Sequence, residues 1–230
     1  MVFGAILAGG TGTRMGVDKP KQFLMLGDKP IIIQTIEKFL LCEKIDQVYV
    51  GIHPDWVDYA QDLIDKYIKI DKKVELVPGG KDRNSTIFNI VEAIENKYGE
   101  NEEHIIVTHD SVRPFVTLRI IEENIEAAME CGASDTVVGA VDTIVVSEDG
   151  KMISNIPDRR MMFQGQTPQS FKMSMIKKLY YDLTEDEKSI LTDACKICCV
   201  RNVPVKLVRG EISNIKITTI DDMKMAKAMI

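Results

Sequence analysis

The sequence predicts an α/β fold with a mostly parallel sheet and helices on both of its faces. Short apolar runs alternate with helix-periodic segments over the first two thirds of the chain, and glycine turns follow two of those runs. The chain has 230 residues, and its hydrophobic content of 45% allows a sizeable core. Such alternation is typical of parallel strands joined by helices, and this length is normal for one α/β domain. We therefore expect a single domain over residues 1–230.

The predicted elements of the first two thirds alternate between strand and helix. Apolar runs suited to buried strands cover residues 3–8, 48–52, 74–77, 105–108 and 136–141. Helical patterns fill the intervals at residues 30–41, 56–67, 83–98 and 118–131. Pro30 suits the first position of its helix, where no backbone N–H donor is needed.

The pattern changes after residue 140. Residues 143–147 and 151–156 are short β-rich runs on either side of Glu148-Asp149-Gly150, a hairpin-type turn. We interpret residues 142–162 as a protruding β-arm that makes a dimer contact, because residues 159–163 mix basic and apolar side chains that are unsuited to free exposure. A surface hairpin on a monomer is the alternative.

The last third predicts mainly helices. One covers residues 173–183, a second begins at Thr184 with Glu187 completing a capping box, and a third covers residues 193–200. Residues 205–208 and 215–218 resemble strands, and a closing helix over residues 219–229 has Thr219 as its N-cap.

Charge and composition exclude several classes of protein. A net charge of -6 argues against general nucleic-acid binding. No apolar run reaches the ~18 residues typical of a membrane span, and no signal-peptide pattern is present, so we expect a cytoplasmic protein. The five cysteines do not form a disulfide framework. We interpret Cys195-x-x-Cys198 as one face of a buried helix rather than as a metal or redox site.

The segment LAGGTGTRMGVDKPKQFL at residues 7–24 predicts a phosphate site. Gly9, Gly10 and Gly12 follow a predicted strand, where glycine lets the backbone present its N–H groups to an anion. Arg14 and Lys21 could reach the same anion, and two cations with such a loop suit a triphosphate. The loop matches neither the Walker pattern nor the dinucleotide fingerprint. An ordinary strand-to-helix turn is the alternative.

Two further loops follow predicted strands. The turn GGKDRNST at residues 79–86 could use its N–H groups and the hydroxyls of Ser85 and Thr86 to contact a base or a sugar, although a loop with an N-cap is the alternative. Asp110 lies where ligands gather in open α/β sheets, and a carboxylate beside a triphosphate is a natural Mg²⁺ ligand. Arg113 adds an anion contact, whereas His109 is interpreted as a packed residue.

Five basic residues fall in the candidate loops and suit a site for two phosphorylated substrates: Arg14, Lys21, Arg113, Arg159 and Lys216. A lone buried lysine is costly, so an anionic partner would explain Lys216, unless it faces water from an edge strand. No nucleophile–base arrangement of a hydrolase stands out. Positioning and electrostatic stabilisation are then the expected form of catalysis. A non-catalytic nucleotide-binding module is the competing hypothesis.

Taken together, these motifs resemble the cytidylyltransferases that act on polyol phosphates. The resemblance extends over the whole chain, through LAGGTGTRMG, PKQF, GGKDR, HDSVRPF, DTI, QGQTPQSF, LTDACK and NIKITT. It implies a Rossmann-like nucleotidyltransferase domain, a homodimer that exchanges β-arms, and CTP and Mg²⁺ as substrate and cofactor.

The resemblance also implies roles for individual residues. The expected catalytic residues, which contact the triphosphate and the α-phosphate, are Arg14, Lys21 and Lys216. The expected nucleotide-binding residues are Leu7, Ala8, Gly9, Gly10, Gly12, Thr13, Gly80, Lys81, Arg83, Ser85 and Thr86. The expected contacts of the polyol phosphate are Asp110, Ser111, Arg113, Thr143 and the partner arm's Arg159, and Asp110 is also the expected metal ligand.

Two branches of this family differ in their acceptor. HDSVRPF, QGQTPQSF and TDACKI resemble the branch that acts on ribitol 5-phosphate, whereas the branch that acts on 2-C-methyl-D-erythritol 4-phosphate more often has HDAARP and TDDA. The short spacing from Met15 to Pro20 favours the second branch. We expect CTP and D-ribitol 5-phosphate to give CDP-ribitol and diphosphate, for teichoic acid or a related surface polymer. The methylerythritol reaction is the alternative, followed by another sugar-phosphate nucleotidyltransferase.

Overall fold

The structure, a computed structural model, describes residues 1–10, 19–69 and 74–230. Its strands are β1 (Val2–Ala8), β2 (Met25–Leu26), β3 (Lys29–Pro30), β4 (Gln47–Ile52), β5 (Val74–Pro78), β6 (Ile105–Asp110), β7 (Ala133–Gly139), β8 (Phe163–Lys172) and β9 (Lys206–Arg209). Its α-helices are α1 (Ile31–Leu40), α2 (Val57–Tyr67), α3 (Arg83–Tyr98), α4 (Leu118–Cys131), α5 (Met173–Tyr181), α6 (Glu185–Ser189), α7 (Cys195–Val200) and α8 (Ile220–Lys227).

The main sheet contains seven of the described strands, in the order β5-β4-β1-β6-β8-β7-β9. β1 pairs in parallel with β4 and β6, and β4 pairs in parallel with β5. β8 runs antiparallel to both of its neighbours, while β7 and β9 are parallel. The predicted mostly parallel sheet is therefore confirmed. β2 and β3 form a separate antiparallel ribbon.

Helices cover both faces of the sheet because the side chains of each strand alternate between two cores. In β1, Val2 and Ile6 belong to a core with residues of α1, α2 and α4. Phe3 and Ala5 point into a second core with residues of α3, α5 and α7. Strands buried on both faces are expected to be apolar throughout, as β1 and β4 are. Cys195 and Cys198 lie buried in the second core, which confirms the interpretation of their helix.

Helix starts follow the predicted capping chemistry. The Thr184 hydroxyl accepts from the Glu187 N–H, and the Glu187 carboxylate accepts from the Thr184 N–H, so the predicted capping box of α6 is confirmed. Thr219 caps α8 as predicted. Helix α1 begins at Ile31, one residue later than predicted, because Pro30 ends β3 and precedes the helix.

The strand prediction failed in β8 and at residues 215–218. β8 was missed, because its sequence FQGQTPQSFK is polar and contains a proline. Pro168 is tolerated where the pairing with β7 shifts register between Asp135 and Val137. Residues 215–218 were predicted as a strand but have no ladder partner, and the backbone N–H of Ile217 instead donates to the carbonyl of Val112 at 3.0 Å.

The predicted hairpin of the arm is mostly irregular. Within residues 142–162, all of which are described, Val146 and Asn155 form a single antiparallel bridge. The predicted turn is present, since the Asp149 carboxylate accepts from the N–H groups of Lys151 and Met152 at 2.8 and 2.9 Å. Apart from this bridge, the two flanking runs do not form strands. Met152 is 73% exposed.

Over the ranges the structure describes, no helix combines the length and apolar character needed to cross a membrane.

Candidate active site

A cavity of about 450 Å³ opens where parallel strands β1, β5 and β6 end. This is the edge at which open α/β sheets bind ligands, and the volume lies in the usual range for small-molecule sites. Its lining brings together most of the predicted site residues that the structure describes. The lining residues are Leu7, Ala8, Gly9, Gly10, Lys21, Gln22, Gly80, Lys81, Asp82, Arg83, Thr86, Asp110, Ser111, Val112 and Lys216.

The described part of the first glycine turn is held by a side chain that the prediction missed. Gln22 is 2% exposed, and its Nε2 donates to the carbonyl oxygens of Ala8 and Gly10 at 3.0 and 3.1 Å. The amide thus occupies an acceptor site on each carbonyl oxygen, which reduces their repulsion of an anion at this turn. This residue belongs to the motif PKQF, but an uncharged glutamine gives no sequence signal of a role at a phosphate site. Gly12, Thr13 and Arg14 lie outside the described residues.

The second turn is fixed by its own polar side chains. The Asp82 carboxylate accepts from the Ser85 N–H at 2.7 Å and caps α3. The Thr86 hydroxyl donates to the Asp82 carbonyl at 2.8 Å and accepts from the Gly80 N–H at 3.0 Å. The Ser85 hydroxyl is engaged in the cap, so it does not line the cavity, whereas Gly80 and Thr86 do.

Three cations surround the carboxylate of Asp110. Arg83 Nε lies 3.5 Å from Oδ1, while Arg113 Nε and Lys216 Nζ lie 3.3 and 3.0 Å from Oδ2. Arg113 and Lys216 were predicted to contact phosphates and Arg83 to bind the nucleotide, and the structure places all three around one buried carboxylate at the end of β6. Arg113 is itself buried, and its Nη1 donates to the Asn214 carbonyl at 2.7 Å.

The surroundings of Asp110 keep it ionised. Burial alone would raise its pKa, but the charges of Arg83, Lys216 and Arg113 outweigh burial and hold the pKa well below its usual value. One carboxylate against three cations leaves a net positive centre. Such a centre is suited to the negative charge of phosphate groups.

The carboxylate of Asp110 suits a Mg²⁺ ion that takes its other ligands from a bound substrate. Within residues 1–10, 19–69 and 74–230, no group of three or more acidic, histidine or cysteine side chains could hold a metal. Asp110 is the carboxylate at the phosphate end, and Mg²⁺ is commonly bound by one or two carboxylates with substrate phosphates supplying further ligands. The site fits an ion that arrives with a nucleotide.

His109 is a structural residue, in agreement with its interpretation from sequence. It is fully buried, and burial lowers the pKa of its imidazole to about 4. Nε2 donates to the Arg113 carbonyl at 3.1 Å, and Nδ1 accepts from the Thr167 hydroxyl at 2.9 Å. The Thr167 oxygen in turn accepts from the Asp110 N–H at 3.2 Å. This chain of hydrogen bonds fixes the loop after β6 against β8.

Two predicted residues lie on the arm rather than at the cavity of their own chain. Thr143 and Arg159 are exposed, and Arg159 donates to the Val141 carbonyl at 2.6 Å. Neither belongs to the lining of the cavity. Their predicted role requires the arm of a second chain.

Comparisons with known proteins agree with this geometry. The model of the family described as IspD, 2-C-methyl-D-erythritol 4-phosphate cytidylyltransferase, matches residues 2–230. A ribitol-5-phosphate cytidylyltransferase of Streptococcus pneumoniae serotype 2 is 54% identical over 232 residues, which cover 100% of this chain and 99% of the relative.

Solved structures show the same fold. A 4-diphosphocytidyl-2C-methyl-D-erythritol synthase from Anaerococcus prevotii aligns with a TM-score of 0.82 at 26% identity, covering 99% of this chain and 95% of the other. A 2-C-methyl-D-erythritol 4-phosphate cytidylyltransferase from Francisella tularensis aligns with a TM-score of 0.80 at 23% identity, covering 100% and 99%.

Proposed function

This chain belongs to the IspD family of cytidylyltransferases, and we propose that it converts CTP and D-ribitol 5-phosphate to CDP-ribitol and diphosphate. The observation that carries the proposed chemistry is the net positive centre formed by Asp110 and its three cations beside a glycine turn. The choice of acceptor rests on the 54% identity to the pneumococcal ribitol enzyme over the whole chain. The methylerythritol acceptor of the family description is the alternative.

The proposed reaction is an in-line displacement at phosphorus. A phosphate oxygen of the acceptor forms a bond to the α-phosphorus of CTP, the bond from that phosphorus to the bridging oxygen breaks, and diphosphate leaves with the electron pair. Lys21 and Lys216 line the same cavity and are proposed to neutralise the charge that develops on the phosphates. Arg14 is proposed to assist them. No covalent enzyme intermediate is required.

Recognition of the nucleotide is proposed to use the two glycine turns. Leu7, Ala8, Gly9 and Gly10 line the cavity. Gly80, Lys81, Arg83 and Thr86 line it beside them, around the N-terminus of α3, and would surround the cytosine and ribose. Mg²⁺ is the proposed cofactor, with CTP phosphate oxygens and Asp110 as ligands, and when bound it would neutralise triphosphate charge.

A homodimer with exchanged arms is proposed to complete the acceptor site. The arm exposes several large apolar side chains, a pattern that marks interaction surfaces: Val141, Val145, Val146, Met152, Ile153, Ile156 and Met161. Arg159 and Thr143 lie on this arm and would reach the acceptor phosphate of the partner. Because the proposed substrates are a nucleotide and a sugar phosphate, we propose that the enzyme acts in the cytoplasm. Its product is proposed to supply the synthesis of teichoic acid or a similar polymer.

The experiment that tests the proposed function is diphosphate release from CTP and Mg²⁺ with the two acceptors offered in parallel. We expect turnover with D-ribitol 5-phosphate and little with 2-C-methyl-D-erythritol 4-phosphate. The reverse result would assign the other acceptor and leave the displacement chemistry in place. A panel of UTP, GTP and ATP serves as control, and a preference for any of them over CTP would reject the cytidylyl proposal.

Arm exchange predicts that two inactive variants restore one another. Lys21→Ala removes a proposed cation of the nucleotide side, with an expected loss of about 10²–10³ in kcat. Arg159→Ala removes the contribution of the arm. In mixed dimers, the chain that keeps Lys21 receives an intact arm from the Lys21→Ala chain, so one complete site forms.

We therefore expect the mixture, after unfolding and refolding together, to be clearly more active than either variant refolded alone. The matched control is Arg160→Ala, whose exposed side chain pairs with Asp158. Mixing without any gain in activity would place Arg159 in its own chain's site or in none.

A further inference from the structure

A second polar cluster lies near Arg83, which acts electrostatically on one of its carboxylates. It consists of Asp135 in β7, Gln169 in β8 and Asp193 just before α7. Gln169 Nε2 donates to Asp135 Oδ1 at 3.0 Å and lies 3.4 Å from Asp193 Oδ2. One amide thus holds two carboxylates together. We call these three residues the Asp135 cluster.

Unpaired polar atoms of buried groups indicate that the cluster accepts a ligand. Gln169 is 1% exposed, and its Oε1 has no hydrogen-bond partner among the described residues. Arg83 Nη1 and Nη2 are likewise buried atoms that none of the described side chains or carbonyls satisfies. A buried polar atom without a partner is costly, and such atoms are rare in native proteins. The cluster therefore offers an acceptor and two donors that only another molecule would use.

Strand register places the cluster next to the reacting phosphates. Gln169 lies opposite Thr108 in β6 and opposite Asp135 in β7. Thr108 and Asp110 are two residues apart, so their side chains point to the same face of the sheet. Arg83 contacts Asp110 and also acts electrostatically on Asp135. Asp135 and Asp193 are both partly exposed and therefore open to a ligand, although none of the three cluster residues belongs to the lining of the cavity beside Asp110.

The chemistry of the cluster suits hydroxyl groups. Carboxylate and amide oxygens accept from hydroxyls, and the guanidinium of Arg83 donates to them. Among the residues that the structure describes, these two carboxylates do not belong to any group of three or more acidic, histidine or cysteine side chains that could hold a metal ion. We propose that Asp135, with Asp193 and Gln169, accepts hydrogen bonds from the hydroxyl groups of the acceptor's polyol chain and so determines acceptor specificity. The inference rests on the proposed function, because it assigns the end of the acceptor remote from its phosphate.

The test compares wild type with Asp135→Asn, which keeps the shape of the side chain and an oxygen for Gln169. We expect the KM for D-ribitol 5-phosphate to rise about 10- to 100-fold, the usual worth of one hydrogen bond to a charged group, while the KM for CTP stays unchanged. Binding is measured in the same variant by titration calorimetry. CDP-ribitol should bind more weakly by the same factor, whereas CDP should bind as to wild type.

The matched control is Asp62→Asn, an exposed carboxylate of α2 far along the sequence from the site. A merely structural role of Asp135 would lower the Tm and weaken CDP and CDP-ribitol alike, and this outcome would overturn the proposal. Equal KM values for the acceptor in wild type and Asp135→Asn would overturn it as well. Wild type that is inactive with ribitol phosphate would instead remove the proposed function, and the inference with it.

If Asp135→Asn fails to fold, the affinities for CDP-ribitol and CDP are measured in Asp193→Asn instead, and their ratio is compared with that of wild type. A ratio equal to that of wild type would again contradict the proposal.

Discussion

Arg83 acts electrostatically on two carboxylates, Asp110 and Asp135, and the surroundings of these carboxylates differ in charge. At Asp110, the charges of Arg83, Lys216 and Arg113 lower the pKa of the carboxyl although it is buried. At Asp135, burial together with the nearby Asp193 charge raises the pKa to about 6, although Gln169, Arg83 and Cys195 oppose the shift in part.

The comparison shows that one region around Arg83 suits the negatively charged groups of a ligand, whereas another suits its neutral groups. Around Asp110 the excess is positive, which suits phosphates. Around Asp135 the excess is negative and hydrogen-bonding capacity is unused, which suits hydroxyls. A molecule with a phosphate at one end and hydroxyls along the rest would match this order.

The largest effect is expected for Lys216→Ala. Because this change removes a cation from the Asp110 side, we expect kcat to fall by about 10²–10³, the usual loss when one stabiliser of transition-state charge is removed. Steady-state diphosphate release measures it. The matched control is Lys224→Ala in α8, whose exposed side chain pairs with Asp221. Similar losses in both variants would mean that the loss does not come from the Asp110 centre.

Asp110→Asn should destabilise the fold. The folded pKa of Asp110 is depressed, so its ionised form stabilises the protein above the unfolded pKa near 4, and this contribution is lost as the pH falls below that value. The variant leaves three cations without their counter-charge. We expect about 2–4 kcal/mol less stability at pH 7.5, somewhat below the value for a fully buried pair, since Lys216 is partly exposed. Urea unfolding measures it, with Asp62→Asn as control.

Asp135→Asn should have the opposite effect on stability. The folded pKa of about 6 exceeds the ordinary value of 3.8, so ionising this carboxyl above pH 6 costs stability. The amide removes that cost. We expect a gain of about 1–2 kcal/mol at pH 8, after allowing for partial exposure, which vanishes as the pH falls to about 4. A variant that is less stable than wild type at pH 8 would show that Asp135 is ionised without cost, and the contrast with Asp110 would be lost.

The parallel half of the fold was predictable from sequence, because β1, β4 and β6 are buried on both faces and their apolar runs end at glycine or polar turns. β8 was not predictable in this way. Its central residues are buried and polar, and Thr167 and Gln169 bond to the side chains of His109 and Asp135 in the neighbouring strands. Hydrophobic patterning cannot find a strand whose interior is satisfied by hydrogen bonds from elsewhere in the chain.

The candidate site was predictable where charge or glycine marks a loop, as for Asp110 and Lys216. The site was not predictable where neutral polar residues bond to groups that are far away in the sequence. Gln22 holds the carbonyls of Ala8 and Gly10, and Asn214 donates to the Thr167 carbonyl at 2.8 Å, but these contacts depend on the finished fold. Asp135 directly precedes the run at residues 136–141 that was predicted as a strand, and its proposed role rests on its neighbours across the sheet.

Thr86 has a consequence for how this chain can change its sequence. Its hydroxyl lies 3.1 Å from where a Cβ would stand at Gly9, and its methyl group occupies the space that a Cβ at Gly51 would need. Two glycines 42 positions apart in the chain are thus constrained by one side chain. A side chain at position 51 therefore requires a smaller residue at position 86, at the expense of the hydroxyl that holds Gly80 in place, whereas a side chain at position 9 requires Thr86 to shift by a few tenths of an ångström.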